Sequence, residues 1–386
     1  MGLYSSIAVP LAFISGIWIP ATLLCCIPWV QKQMLYLHWV TFFPGKWLDE
    51  PERAGFLKNQ VTPFRLKTKD GESLFAWLVA PLGVYARHAD SFLQEEDSVD
   101  DIEKKLTLKL LRDDPESRLL LYFHGNSATL AQGRRTEEYR VYSSGASDKI
   151  FVFSFDYRGF GRSTGSPSEE GLLKDSEAVV EWALNVAKIP PERIVLLGHS
   201  LGTAVATGIA HRYANLESPI EFAAIILCAP FTNAGNAFSS YSLGNLLPLL
   251  APVKTIPAFQ AWFSRRMRDT WKTDARLAEL VRQTSHFRLV LVHAQDDGTM
   301  TWDQSEMLFK STLKSAMDGC PPDDELEKKR KVVDLGEAGQ QETWEDGAIS
   351  ISKLIAKHGD HNTMMKWSPI SLAALQCFGL TNLTPR

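Results

Sequence analysis

Short apolar runs alternate with longer helix-like stretches through most of this chain. Residues 119–123, 150–155, 194–197, 223–227 and 289–292 have the texture of parallel strands buried on both faces. Residues 169–187 and the Ala-rich stretch 203–214 read as helices between them. Such alternation predicts a mostly parallel central sheet with helices on both faces. Upstream, Val61–Lys67 and Ser73–Val79 read as two strands around a turn at 69–72. Residues 86–117 are charged and predict a solvated insertion with one helical piece. Residues 320–356 read as a late irregular region before a final amphipathic helix. No internal repeat or long low-complexity tract is present.

The amino-terminal pattern is different. Residues 2–30 carry no charge, and Lys32 is the first cation. That exceeds the roughly 20 apolar residues needed to cross a bilayer. Pro10, Pro20 and Pro28 narrow the helical core to about 11–27, with a kink expected at Pro20. Trp29, Tyr36, Trp39, Phe42, Phe43 and Trp47 follow as an expected interfacial aromatic belt. A cleaved signal peptide fits poorly, because the basic n-region and a small-residue cleavage site are missing. The expectation is a retained anchor over residues 1–48. Lys32 and Lys46 after the span favour a cytosolic catalytic domain. The myristoylation-like Met1–Ser6 match is redundant beside a spanning helix, and the Asn382 sequon matters only if that end is lumenal.

Composition narrows the classes. With 386 residues, 45% hydrophobic and 22% charged, the chain can bury a large core. A net charge of −4 gives no reason to expect a nucleic-acid partner. The five cysteines show no C-x-x-C spacing and suggest neither a disulfide framework nor a zinc site.

The chemistry centres on Gly198-His199-Ser200-Leu201-Gly202, set between the strand-like run 193–197 and the helix-like run that follows. A serine between two glycines at such a junction can occupy a strained turn that exposes its hydroxyl. Its activation requires a base, oriented in turn by an acid, in the chain order Ser, acid, His. His286 and His293 flank a strand and precede the acid, which leaves His358 and His361. His361, just before the final helix, is preferred. The His-x-x-His spacing has no third ligand cluster beside it, so no metal and no cofactor are expected. The acid follows the run ending at His293; Asp297 is preferred because it precedes Gly298, with Asp296 as the alternative. Backbone N–H groups of Leu201 and Asn126 are the candidate oxyanion hole. The glycine-rich run 156–165 fails the dinucleotide fingerprint, with Thr164 where glycine is required.

HGN at 124–126, DYRGFGRSTGSPSEEG at 156–171, GHSLGTAVA at 198–206, APFTN at 229–233, HAQDD at 293–297 and HN…KWSP at 361–369 together resemble the membrane-anchored α/β-hydrolase-domain lipases. The resemblance is nearest to the branch acting on lysophosphatidylserine and monoacylglycerols, and it spans about residues 115–380 in order. It implies an α/β-hydrolase fold and matches Ser200, Asp297 and His361 to the family's triad. It also implies a type II protein of the endoplasmic reticulum with a lumenal catalytic domain, which we prefer to the two-lysine argument. The chain departs from the pattern at 298–302, which lacks a valine-proline pair, and at 320–356, which is enlarged. Residues 231–283 read as a cap-like insertion, apolar at 246–250, Phe259, Trp262 and Phe263, followed by Arg265, Arg266, Arg268 and Lys272.

The expectation is a hydrolase domain over 49–386 that cleaves esters of single-chain lipids through an acyl-serine. Its partners would be a lipid ester and a membrane. The rivals are a protein S-depalmitoylase, favoured by a cytosolic domain, and a silent binding protein on the same scaffold.

Overall fold

A computed structural model describes residues 20, 22–41, 45–96, 101–240, 242–243, 247–248, 257–317 and 329–381. A ten-stranded sheet runs through it: β1 (Val61–Lys67), β2 (Ser73–Val79), β3 (Arg118–Phe123), β4 (Ile150–Asp156), β5 (Ile194–His199), β6 (Ala224–Cys228), β7 (Phe287–Ala294), β8 (Arg330–Asp334), β9 (Gln340–Asp346) and β10 (Ile349–Ala356). The spatial order is β1-β2-β4-β3-β5-β6-β7-β10-β9-β8. The six strands from β4 to β10 in that order pair in parallel. Antiparallel hairpins finish both edges.

The fully apolar runs sit at the centre. Every residue of β4 and of β5 is buried, while edge strand β1 alternates between buried and exposed positions. One face packs Phe153, Leu196 and Leu289 against Trp182, Val205 and Leu308 of the helices Glu169–Asn185, Leu201–Ala214 and Asp303–Ala316. The other packs Trp77, Tyr122 and Ile226 against Tyr139, Tyr142 and Ile370 of Arg135–Ser144 and Ser368–Cys377. This is the mostly parallel sheet with helices on both faces that the alternating pattern predicts, and it agrees with the α/β-hydrolase fold that the resemblance implies.

Two expectations change. The late irregular region contains β8, β9 and β10. Lys353 interrupts the apolar run in β10, but its ammonium is buried between the carboxylates of Glu306 and Glu342. A paired internal cation thus hides a strand from hydropathy alone. The charged insertion at 86–117 holds the α-helices Ala89–Gln94 and Leu106–Asp113, two where one was expected, with Phe92, Leu108 and Leu111 buried. The glycine-rich loop after β4 is pinned by Arg158, which donates to Asp70 at 2.9 and 3.0 Å and to Asp175 at 2.8 Å.

The anchor expectation lies mostly outside the described residues, as do Phe42, Phe43 and Asn382. Among the described residues no helix is long and apolar enough to cross a membrane. The helix α1 (Pro28–Tyr36) packs on the domain. Tyr36, expected in an interfacial belt, is fully buried and donates to Asp269 at 2.8 Å. Its phenol is pushed well up, first by burial and then by the Asp269 charge.

Candidate active site

Strand β5 delivers Ser200 into a turn with φ 51° and ψ −117°, a conformation unfavourable for a residue with a Cβ. Both flanking glycines are required by close approach. A Cβ on Gly202 would lie 1.8 Å from the Phe123 carbonyl oxygen, and one on Gly198 would lie 2.4 Å from that of Gly202. The serine amide is anchored on the Cys228 carbonyl at 3.0 Å, and the helix Leu201–Ala214 leads away.

The structure brings Ser200, His361 and Asp297 into one chain of hydrogen bonds. Ser200 Oγ lies 3.0 Å from His361 Nε2, and His361 Nδ1 lies 2.7 Å from Asp297 Oδ2. A carboxylate accepts, so Nδ1 carries the proton and Nε2 is free to accept from the serine. The backbone N–H groups of Thr299 and Met300 donate to the other Asp297 oxygen, each at 2.8 Å. Burial raises the Asp297 pKa, but donors from His293 and His361 outweigh it, and the carboxyl is held well below its ordinary value.

The two alternatives stand elsewhere. Asp296 accepts from the amides of Asp360 (2.9 Å) and Gly359 (3.3 Å), so it shapes the histidine loop without touching the His361 ring. His358 is exposed, 3.8 Å from Asp296.

Leu201 and Asn126 both line the cavity above Ser200. Neither backbone N–H donates to an acceptor among the described residues. The loop after β3 is strained next to Asn126: Ser127 and Ala128 have φ of 60° and 61°. The Arg135 guanidinium holds it, donating to the carbonyls of Gly125 (3.1 Å), Asn126 (3.3 Å), Ser127 (3.0 Å) and Thr129 (2.7 Å). From the other side, the Ser127 and Ala128 amides donate to the carbonyls of Tyr36 and Val40 at 2.8 and 2.6 Å.

Sequence reasoning missed Arg135, His199 and His293. His293 closes β7, and its Nε2 donates to Asp297 Oδ2 at 3.2 Å and to the Met300 carbonyl at 3.0 Å. Its position four residues before the acid was the available signal. His124 is buried and donates Nδ1–H to the Gly125 carbonyl at 2.7 Å, a structural rather than a reacting group.

The cavity is about 710 Å³. Met34, Leu35 and Leu37 from α1 and its end, with Phe231, Phe238 and Met300, form an apolar wall. Gln132, Arg134, Thr299 and Asn362 make a polar section.

Residues 119–321 match the α/β hydrolase family, more than half of the chain and the whole stretch from β3 past Asp297. The chain belongs to the α/β hydrolase family. It is similar to the lysophosphatidylserine lipase ABHD12 of Danio rerio, 30% identical over 79% of this chain and 72% of that one. It is 36% identical to protein ABHD12B of Homo sapiens over 71% of this chain and 68% of that one. Among solved structures, an α/β hydrolase from Vibrio vulnificus shares the fold at a TM-score of 0.53, with 15% identity over 92% of this chain and 94% of its own. The family and the lipase relatives make this hydrolase a serine ester hydrolase.

Proposed function

We propose that the protein is a membrane-anchored hydrolase of single-chain lipid esters, a lysophospholipid or a monoacylglycerol, working through an acyl-serine. The observation that carries this is the Ser200–His361–Asp297 chain facing an apolar-walled cavity of about 710 Å³. The lysophosphatidylserine lipase relatives support the substrate class.

In this reading His361 Nε2 takes the Ser200 proton as Oγ bonds to the ester carbonyl carbon. The carbonyl oxygen becomes an oxyanion facing the amides of Leu201 and Asn126. Collapse breaks the carbon–oxygen bond, and the alcohol leaves with the proton from His361. Water then gives its proton to His361 and its hydroxyl to the acyl carbon, releasing the fatty acid and restoring Ser200. Asp297 keeps Nδ1 protonated and stabilises the imidazolium.

The anchor rests on the uncharged residues 2–30, and the lumenal placement in the endoplasmic reticulum on the family resemblance. A fluorophosphonate probe should label the wild type and not Ser200→Ala, and only the wild type should release fatty acid from a monoacylglycerol or lysophospholipid. Labelling that survives the substitution sinks the mechanism. A labelled enzyme that cleaves S-acylated peptide but no lipid ester replaces the ester by a thioester. Protease protection of the domain in sealed microsomes tests its orientation.

A further inference from the structure

The last carbonyls of a helix have no partner within it and must find one elsewhere. In α1 they find the loop that carries Asn126. The Leu35 carbonyl accepts from Asn126 Nδ2 at 3.4 Å, and the Tyr36 carbonyl accepts from the Ser127 amide at 2.8 Å. Leu37 then turns left-handed with φ 45°, and the Val40 carbonyl accepts from the Ala128 amide at 2.6 Å. The stretch 35–40 thus holds the amide side of this loop, while Arg135 holds its carbonyl side. Among the described residues the Ser127 and Ala128 amides are spent on this stretch and the Asn126 amide has no acceptor, which leaves it for an oxyanion.

What fastens this stretch is polar and buried. Tyr36 is fully buried, and its hydroxyl donates to Asp269 Oδ2 at 2.8 Å. Earlier in α1, Gln31 donates to the Arg266 carbonyl at 3.0 Å and accepts from the Arg268 amide at 3.1 Å. All three partners belong to residues 265–271, the return from the helix Pro257–Ser264 to the body of the domain. That return is itself fixed. Glu169 Oε2 accepts from the Thr270 and Trp271 amides at 2.7 and 2.9 Å, and its other oxygen accepts from Arg276 at 2.6 Å. Tyr36 therefore carries both ends of one link. Its carbonyl holds the oxyanion loop, and its hydroxyl holds a segment clamped on a core helix.

We propose that Tyr36 is a positioning residue for the Asn126 oxyanion donor, acting through Asp269, and that the catalytic unit begins near Gln31 rather than at residue 49. The proposal rests on the acyl-serine reading of the site and requires neither a membrane nor a lipid. Without the bond between phenol and carboxylate, the end of α1 is free to shift away from the return. The Ser127 and Ala128 amides then lose their fixed acceptors, and both residues can leave their left-handed φ of 60° and 61°. The Asn126 amide turns away from the charge that develops on the ester oxygen, and only the transition state feels that loss. This separates Tyr36 from a residue that merely supports the fold.

The test compares the full chain with Tyr36→Phe, Asp269→Leu, Asp269→Asn and Tyr36→Phe/Asp269→Leu on a water-soluble p-nitrophenyl ester. Tyr36→Phe and Asp269→Leu should each lower kcat about tenfold with KM within about twofold of wild type. The double variant should cost no more than either single one, because all three break the same link. Asp269→Asn keeps a side-chain oxygen that accepts from the phenol and should recover most of the loss. An alkylboronic acid, which forms a tetrahedral adduct on the serine, should bind each variant more weakly in proportion to its kcat. An unchanged kcat in Tyr36→Phe, losses that multiply in the double variant, or wild-type boronate affinity in a slowed variant each overturn the proposal. If Tyr36→Phe does not fold, equal kcat in Asp269→Leu and Asp269→Asn overturns it. A wild type that cleaves the ester but binds no boronate refutes the oxyanion reading of the site itself, and the proposal with it.

Discussion

His199 Nε2 donates a 2.8 Å hydrogen bond to the backbone carbonyl of His361. The residue before the elbow serine thereby holds the loop that carries the histidine. Burial, and then the His361 charge, push the His199 pKa down to about 3, so the ring stays neutral through the working pH range. His199→Ala should lower kcat about tenfold with little change in KM, since one positioning hydrogen bond of about 1 kcal/mol is lost. His199→Gln, whose amide can reach the same carbonyl, should recover most of that. A matched rise in KM with kcat unchanged would show that the contact serves substrate binding instead.

The adjacent aspartates should separate cleanly. Asp297→Asn places an amide where His361 Nδ1 now donates, and turnover should fall by about 10⁴. Asp296→Asn keeps one oxygen to accept from Asp360 or Gly359, and should cost less than about tenfold. His358→Ala, at an exposed ring, should be near neutral. Steady-state kinetics on any soluble ester decides this. A reversal of the two aspartates would mean that the loop at 294–298 is displaced by one residue during turnover.

Much of this architecture was legible because the central strands are continuous apolar runs and the elbow is marked by glycines that tolerate no Cβ. Ser200, His361 and Asp297, which the structure joins by hydrogen bonds, could be singled out because chain order restricts their positions and Gly298 marks Asp297 over Asp296. What stayed hidden was polar and internal. Lys353 interrupts the apolar pattern of β10 and is made tolerable only by two carboxylates brought from β9 and the helix Asp303–Ala316. Tyr36 reads as an interfacial aromatic in one dimension, and its partner Asp269 is more than two hundred residues away. Arg135 looks like any cation at a helix start, because its partners are carbonyls, which carry no side-chain signature.

Asp156 should make stability depend on pH. Its carboxyl is fully buried, 3.8 Å from His124 Nε2, and accepts from the Leu130 amide at 2.6 Å. Burial raises its pKa to about 7, against the lowering effect of the Leu130 amide and Arg135. His124, pushed well below its ordinary value by burial and then by Arg135, supplies no compensating charge. The folded state therefore binds this proton more tightly than the unfolded chain. Its stabilising contribution is complete below about pH 4 and is lost as pH rises through about 7, with a slope of up to about 1.4 kcal/mol per pH unit. Other groups titrate in the same window, so the diagnostic is a difference. Asp156→Asn should flatten the decline between about pH 4 and 7 in urea titrations relative to wild type. Identical slopes would show that Asp156 is ionised in the fold.

Arg135 should act on the reaction through the loop it holds. Its guanidinium binds four carbonyls between Gly125 and Thr129, across two non-glycine residues with positive φ. Without it, Ser127 and Ala128 can relax toward ordinary backbone angles, at a gain of about 1–3 kcal/mol each, and the Asn126 amide turns with them. An oxyanion donor that is misaligned costs about 10²–10³ in kcat. Arg135→Met should therefore lower kcat by about 10² or more while KM for a short soluble ester stays within about threefold. Arg135→Lys can satisfy fewer of the four carbonyls and should fall between the two. A boronic acid that mimics the tetrahedral intermediate separates this from general unfolding. Its affinity for Arg135→Met should drop in proportion to kcat, whereas a folded variant that binds it as wild type does would place the loss elsewhere in the reaction.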